Sequence, residues 1–223
     1  MRLTFHKAVK QLEDHYGSPS RPISRDPFEL ILYENIAYLV SDDRREKAFR
    51  ELKKRVGLRP EDILTASLEQ LAEITTIGGI FPDLRARRIQ ESARLVRDEF
   101  GGNLREALKL DPAQARKAFQ KFPVIGEPGA DKILLFTGTL ATLAPESNGL
   151  RVLVRLGLID EQKNYAATYR AARAALHDGF AEECPTLIAA HHLLKRHGQE
   201  LCRRSTPRCE VCPLRKSCRS ATC

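Results

Sequence analysis

Phe122-Pro-Val-Ile-Gly-Glu-Pro-Gly-Ala-Asp-Lys-Ile133 lies between two helical patterns and decides how they are joined. A helix expected over residues 111–121 meets a short turn containing Gly126. A second helix begins at Pro128 or Gly129, where a first-turn proline loses no intrahelical hydrogen bond. Helix–hairpin–helix geometry of this kind turns backbone N–H groups and a helix N-terminus outward, which holds a phosphate without reading any base. An ordinary helix–helix connection carries the same residues, so the reading depends on what surrounds it.

Outward from this turn the chain reads as helical from end to end. Asp26 and Pro27 supply an N-cap and a first-turn proline. The stretch 28–56 follows, with Leu30, Ile31, Ile36, Ala37, Val40, Ala48, Phe49 and Leu52 at helical spacing. Asp42-Asp43 reads as a break between two helices. Further helices are expected over residues 60–64, 67–74, 84–100, 104–108, 111–122, 129–143, 149–156, 165–176 and 184–197. No stretch alternates apolar and polar residues with β-branched enrichment, so the fold class is all-α. The expected loops are residues 17–26, 77–83, 144–148 and the cysteine-rich region.

That region holds Cys202, Cys209, Cys212 and Cys218, separated by six, two and five residues. Four thiols so close in a chain without a secretory signal point to a metal or cluster rather than to disulfides. Structural zinc usually takes two tight ligand pairs, and only Cys209 and Cys212 form one. Uneven spacing suits a [4Fe–4S] cube, whose sulfurs converge from different directions. Zinc and unligated thiols stay open as alternatives. Arg203, Arg204, Arg208, Arg215, Lys216 and Arg219 accompany a single acid, Glu210, so this loop suits phosphates. Cys184 and Cys223 fall outside the ligand pattern, as a buried thiol and a terminal one.

Composition agrees with a polyanionic partner. The chain of 223 residues carries 37 Lys and Arg against 29 Asp and Glu, a net charge of +8, with pI ≈ 9.3. A basic protein with no such ligand would have the same balance. The length allows a buried core in one or two small domains. No apolar run approaches the ~18 residues of a transmembrane helix, and nothing reads as a signal peptide. A cytoplasmic location is expected, with no membrane partner.

Hairpin and cysteine loop together resemble the endonuclease III branch of the helix–hairpin–helix DNA glycosylases. Asp26-Pro-Phe-Glu-Leu is similar to that family's first core helix. Ile77-Gly-Gly-Ile-Phe, with Arg85-Ala86 and Ile89, resembles its glycine–aromatic–basic segment. Arg151-Val-Leu-Val-Arg-Leu-Gly157 resembles the helix after its catalytic aspartate, and His191-His192-Leu-Leu-Lys-Arg-His-Gly198 the helix leading into the cluster. The resemblance implies two all-α domains flanking a DNA-binding cleft. One is a six-helix domain over residues 26–136; the other is discontinuous, residues 1–25 plus 137–223, and carries the [4Fe–4S] cluster on Cys202, Cys209, Cys212 and Cys218. It also implies a monomer acting near the nucleoid on double-stranded DNA with a lesion, mismatch or abasic site. The target base is flipped from the duplex and its bond to deoxyribose cut. Val124, Gly126 and Gly129 of the hairpin and Arg203, Arg204 and Arg208 of the basic loop are the expected phosphate contacts.

Departures from the family pattern bear on mechanism. Lyase-type members carry a lysine after the hairpin that attacks the sugar to form a Schiff base. Pro128 stands at that position here, which favours a monofunctional enzyme. Val124 replaces the hairpin's first glycine and puts close phosphate approach in question. Glu146 occupies the position of the family aspartate, whose carboxylate stabilises an oxocarbenium-like sugar. The extra methylene can cost on the order of a hundredfold in rate if it displaces the charge. A polar turn capping the next helix is the competing reading of 145–149. Glu34 falls where adenine and thymine-mismatch glycosylases carry a general acid. In a dry pocket its carboxyl would stay protonated and could protonate the departing base; an exposed helix glutamate is the alternative. Lys132 lies one turn after Pro128 and is either a relocated amine, a base- or phosphate-contacting cation, or a solvated side chain. A lyase using Lys132 and a non-catalytic DNA-structure binder therefore both remain open. Tyr38 and Leu39 stand near the family's insertion segment, for stacking and wedging into the vacated base stack, or else belong to the core.

Overall fold

The computed structural model describes residues 3–19, 21–177 and 183–221, so Cys223 lies outside the described residues. Over the described residues the fold is all-α. The helices are α1 (Phe5–Tyr16), α2 (Pro27–Asn35), α3 (Asp42–Arg55), α4 (Pro60–Thr65), α5 (Leu68–Ile77) and α6 (Pro82–Phe100), then α7 (Pro112–Phe119), α8 (Glu127–Phe136), α9 (Ser147–Leu156), α10 (Tyr165–His177) and α11 (Cys184–Glu200). No helix among them is long and apolar enough to cross a membrane.

Short polar side chains set most of these starts. Asp26 accepts from the N–H groups of Phe28 and Glu29 at 3.0 and 3.2 Å, and Pro27 fills the first turn of α2. Ser41 caps α3, so Asp42 and Asp43 form its first turn. The break expected at those two aspartates lies instead at residues 36–41. Carboxylates favour a helix N-terminus, where they face the positive end of the dipole. The helix expected to reach residue 143 ends at Phe136, shortly before Gly138 at φ 77°. Residues 104–109 wind as a 3-10 turn rather than an α-helix. α1 was not expected: its Phe5, Ala8 and Leu12 form a narrow buried stripe in an otherwise polar segment, and it packs on α11, far along the chain.

Two compact units result, Ile23–Thr137 and a discontinuous one of Met1–Pro22 with Gly138–Cys223. In the first, α6 is the central element, contacted by α2, α4 and α5, while α7 and α8 form the hairpin pair. Ile31, Ile63, Leu71, Ile89, Phe119 and Ile133 are fully buried there. Asp131 of α8 is also fully buried and pairs with Arg116 of α7, fixing the two hairpin helices against each other. In the second unit α11 packs on α9 and α1, and α10 on α9, around Leu12, Leu153, Tyr169 and Leu193.

Candidate active-site pocket and cysteine loop

Within the Ile23–Thr137 unit a pocket of about 500 Å³ opens between the end of α2, the start of α6 and the hairpin. Its lining includes Glu34, Asn35, Tyr38, Arg45, Phe81, Arg88 and Val124. Arg85 builds the wall. Its guanidinium, 3% exposed, donates to Ile36 O and Gly79 O at 2.6 Å and to Ile80 O at 2.9 Å. Those three carbonyls belong to two irregular segments, which one side chain therefore holds together. Tyr38 N donates to Gly78 O at 2.9 Å. A Cβ at Gly78 would lie 2.1 Å from Ile36 O, so this approach needs glycine.

Three non-glycine residues around the pocket adopt left-handed backbone: Leu39 at φ 55°, Phe81 at φ 57° and Val124 at φ 61°. Each costs about 1–3 kcal/mol, and such strain clusters at functional sites. Strain projects apolar side chains outward: Leu39 is 75% exposed and Phe81 60%. Tyr38 is also exposed, so neither Tyr38 nor Leu39 is a core residue. Tyr38 lines the pocket, and Leu39, next in the chain, is exposed to solvent.

The hairpin follows the expected course with one difference. Val124, not Gly126, carries the positive φ. Valine keeps the turn that glycine would adopt freely, at the steric cost of a β-branched residue. Ile125 N donates to Phe122 O at 3.2 Å, and Gly126 begins α8 without any side-chain cap. First-turn N–H groups of α8 are thus left uncapped by side chains at an exposed turn, the arrangement an anion uses. Gly129 packs on Ile125, where a Cβ would sit 3.3 Å from its side chain. Pro128 lies in the first turn of α8 and offers no amine.

Glu34 and Lys132 meet: Nζ donates to Oε1 at 2.6 Å across 98 residues of sequence. Both side chains are largely buried, at 26% and 17% exposure. Lys132 is therefore not a solvated helix lysine, nor Glu34 a solvated helix acid.

Glu146 belongs to the other unit. Its Oε1 accepts from Gly149 N and its Oε2 from Asn148 Nδ2, both at 2.9 Å, so it caps α9. That is the capping geometry its local sequence allowed.

In the same unit Cys202, Cys209, Cys212 and Cys218 line one cavity of about 200 Å³, with Arg155, His197, Leu201 and Arg208. Among the described residues no group of three or more His, Cys, Asp or Glu is arranged to hold one metal ion. Arg155 Nη1 lies 3.5 Å from Cys202 Sγ, and His197 Nε2 lies 3.6 Å from Cys212 Sγ. Burial draws the His197 pKa down to about 4, helped by His15, so the ring is neutral at neutral pH. Burial pushes the Cys212 thiol up, so a set of thiolates here needs a compensating cation. Four sulfurs around one cavity with a guanidinium beside them fit an anionic, multi-thiolate cluster.

Arginines again hold the irregular chain. Arg151 donates to Cys202 O and Gly198 O, and Arg155 to Arg203 O and Arg204 O. Arg203, Arg204 and Arg208 keep exposed side chains, with Arg203 Nε donating to Glu200 O at 3.1 Å. Sequence reading gave no role to Arg85, Arg151 or Arg155, because a buried arginine bound to carbonyls has no signature of its own. Asn35 was missed because a polar residue at a helix end has no signature of its own, and Phe81 was read only as part of the glycine–aromatic segment, without a place in a pocket.

A family model described as HhH-GPD superfamily base excision DNA repair protein matches residues 39–177. The chain is 24% identical over 217 residues to a putative DNA repair glycosylase of Methanocaldococcus jannaschii, covering 96% of each. It is 25% identical over 199 residues to an endonuclease III of Sulfolobus acidocaldarius, covering 88% of this chain and 83% of the relative. A solved structure of a non-covalent endonuclease III–DNA complex matches with TM-score 0.76 at 20% identity, over 98% of this chain and 97% of the other. A thermostable thymine-DNA glycosylase matches with TM-score 0.74 at 19% identity, over 97% and 96%.

Proposed function

This chain belongs to the HhH-GPD superfamily of base excision DNA repair proteins, and we propose that it works there as a monofunctional glycosylase. It is an enzyme of DNA base excision, and its partner is DNA containing a lesion. The finer reading is hydrolysis of the N-glycosidic bond of a damaged or mismatched base flipped into the pocket beside Glu34. The observation that carries it is the pairing of Glu34 with Lys132 where Pro128 replaces the usual nucleophile. While Nζ donates to Glu34, Lys132 is an ion-pair partner, not a neutral amine ready to attack a sugar.

In the proposed step the electrons of the glycosidic bond pass to the base, which takes a proton that Glu34 relays from the Lys132 ammonium bonded to it. Water adds to the sugar carbon and its proton returns to a carboxylate, so base and hydroxylated sugar are the products. Glu146 is the proposed carboxylate that stabilises the sugar cation or activates water. Tyr38 and Leu39 are proposed to fill the gap the base leaves. Val124, Gly126, Gly129, Arg203, Arg204 and Arg208 are proposed phosphate contacts. Cys202, Cys209, Cys212 and Cys218 are proposed to hold a [4Fe–4S] cluster, which supplies a charged structural centre that fixes the basic loop. Action as a monomer on nucleoid DNA in the cytoplasm completes the reading.

The same Glu34–Lys132 contact carries a second reading: once its proton has gone by way of Glu34 to the departing base, Lys132 is a neutral amine that can attack the sugar before water does, as a lyase. The test is a panel of duplexes carrying uracil, thymine glycol, 8-oxoguanine, alkylated purines, G·T, A·8-oxoguanine or an abasic site, each run with and without hot alkali. Breaks only after alkali, lost about a hundredfold or more in Glu34→Gln, support the monofunctional reading. Breaks without alkali, with borohydride trapping abolished in Lys132→Met, would establish the lyase. DNA binding with no product on any duplex would leave a structure-specific binder.

A further inference from the structure

His197 of α11 is 1% exposed and lines the cysteine cavity, yet each of its ring nitrogens faces a polar partner. Nε2 lies 3.6 Å from Cys212 Sγ. Nδ1 lies 3.1 Å from the phenol oxygen of Tyr16, 181 residues earlier on α1. A ligating thiolate only accepts, so the ring proton belongs on Nε2. Nδ1 of the neutral ring is then a lone pair, and it accepts from the Tyr16 hydroxyl. Burial holds the Tyr16 phenol above its ordinary pKa, so the hydroxyl keeps the proton it donates. Tyr16 is held in turn by the Arg196 guanidinium, 4.7 Å over its ring. The His197 carbonyl accepts from Leu201 N at 3.0 Å and from Cys202 N at 2.8 Å. One histidine thus binds two of the four cysteines, one through backbone and one through its ring. A residue near the start of the chain fixes that ring.

We infer that Tyr16 is a positioning residue for the proposed cluster: its hydroxyl orients His197 so that Nε2–H donates to the Cys212 thiolate. Helix α1 thereby helps to set the reduction potential and the lifetime of that cluster. The inference rests on the four cysteines holding it. Donation into Nδ1 polarises the imidazole and strengthens Nε2–H as a donor, so the two bonds reinforce each other. A donor on a ligating sulfur stabilises the more negative, reduced state, and hydrogen bonds to sulfur are among the groups that tune such potentials. Arg155, 3.5 Å from Cys202 Sγ, serves another sulfur without help. A guanidinium has five N–H groups in a fixed fork, whereas a neutral imidazole has one, on either of two nitrogens. His197 is accordingly the donor that needs a partner on its far side.

The experiment compares the cluster-loaded wild type with Tyr16→Phe, His197→Gln and the double variant. Each is read for iron and acid-labile sulfide, for midpoint potential by protein-film voltammetry, and for the rate of iron release to a chelator. Phenylalanine keeps the ring and removes only the hydroxyl. Glutamine keeps an N–H near the place of Nε2–H but has no tautomer for Tyr16 to set. Tyr16→Phe is expected to take up iron fully and to shift the potential in the negative direction. Its iron release should be about fivefold faster, as the loss of one hydrogen bond would give. In the His197→Gln background the same change is expected to alter neither reading. An unshifted potential in loaded Tyr16→Phe would overturn the inference even with faster release, because looser packing of α1 explains release alone. So would an equal shift in the His197→Gln background. A wild type without iron and sulfide would remove the cluster reading, and the inference with it. A loaded wild type with an indifferent Tyr16→Phe keeps the cluster and removes only the role of Tyr16.

Discussion

The pocket wall and the cysteine loop are both irregular chain held by arginines reaching backbone carbonyls, yet they are finished differently. Arg85 is 3% exposed and satisfies three carbonyls within one compact wall. Arg151 and Arg155 spread their donors over Gly198, Cys202, Arg203 and Arg204 of a longer run that stays largely open to solvent. One region is closed by protein groups alone. The other lines a cavity with four cysteines, the proposed cluster site. Arginine suits both tasks because its planar fork binds several acceptors at once and stays charged.

The largest expected effect is on the loop. Removing the proposed cluster with chelator and oxidant should abolish absorbance near 400 nm and cost several kcal/mol, a fall in Tm of about 10 °C or more. Amide exchange should rise first in residues 201–221, while the pocket unit keeps its protection. Equal deprotection of both regions would erase the contrast.

Next is Arg85→Met, which leaves three carbonyls without their donor and should destabilise the pocket unit by about 3 kcal/mol. Denaturant unfolding measures this, and a loss under 1 kcal/mol would mean the wall is held by something else. Arg155→Met should cost less, about 1–2 kcal/mol, because water reaches its partners. Its sharper signature is faster loss of the proposed cluster under oxidant. If it matched Arg85→Met in stability, the distinction between the closed and open regions would fail.

The smallest effect has the opposite sign. Val124→Gly relieves left-handed strain of about 1–3 kcal/mol, against a glycine entropy cost of about 0.5–1 kcal/mol. A net gain near 1 kcal/mol is expected, with tighter binding to undamaged duplex. Destabilisation by this change would show that the valine side chain supports the pocket it lines.

Much of the architecture was legible because helical periodicity and end signals are local. Asp26-Pro27 and the turn at residues 122–126 each fall where their residue chemistry places them. Local signals also misled where they compete. Asp42-Asp43 is polar enough to read as a gap, yet a serine just before it converts both acids into a first turn. The apolar run after Gly129 reads as a continuing helix, but the chain leaves helical geometry before Gly138. Pairs distant in sequence were out of reach. Nothing local to Glu34 announces Lys132, and nothing local to Tyr16 announces His197, whose Nδ1 lies 3.1 Å from the phenol oxygen.

The discontinuous unit has a consequence for synthesis. The Ile23–Thr137 unit has its full complement of chain once residue 137 leaves the ribosome. α1, made first, must wait for α11, whose last residue is Glu200. At about 5–20 residues per second, that interval is about 10–40 seconds, during which the buried stripe of α1 has no partner. The nascent chain therefore completes the pocket-bearing unit before it can close the unit that holds the cysteine loop. The order of translation makes the proposed cluster a late addition, after the pocket-bearing unit has folded.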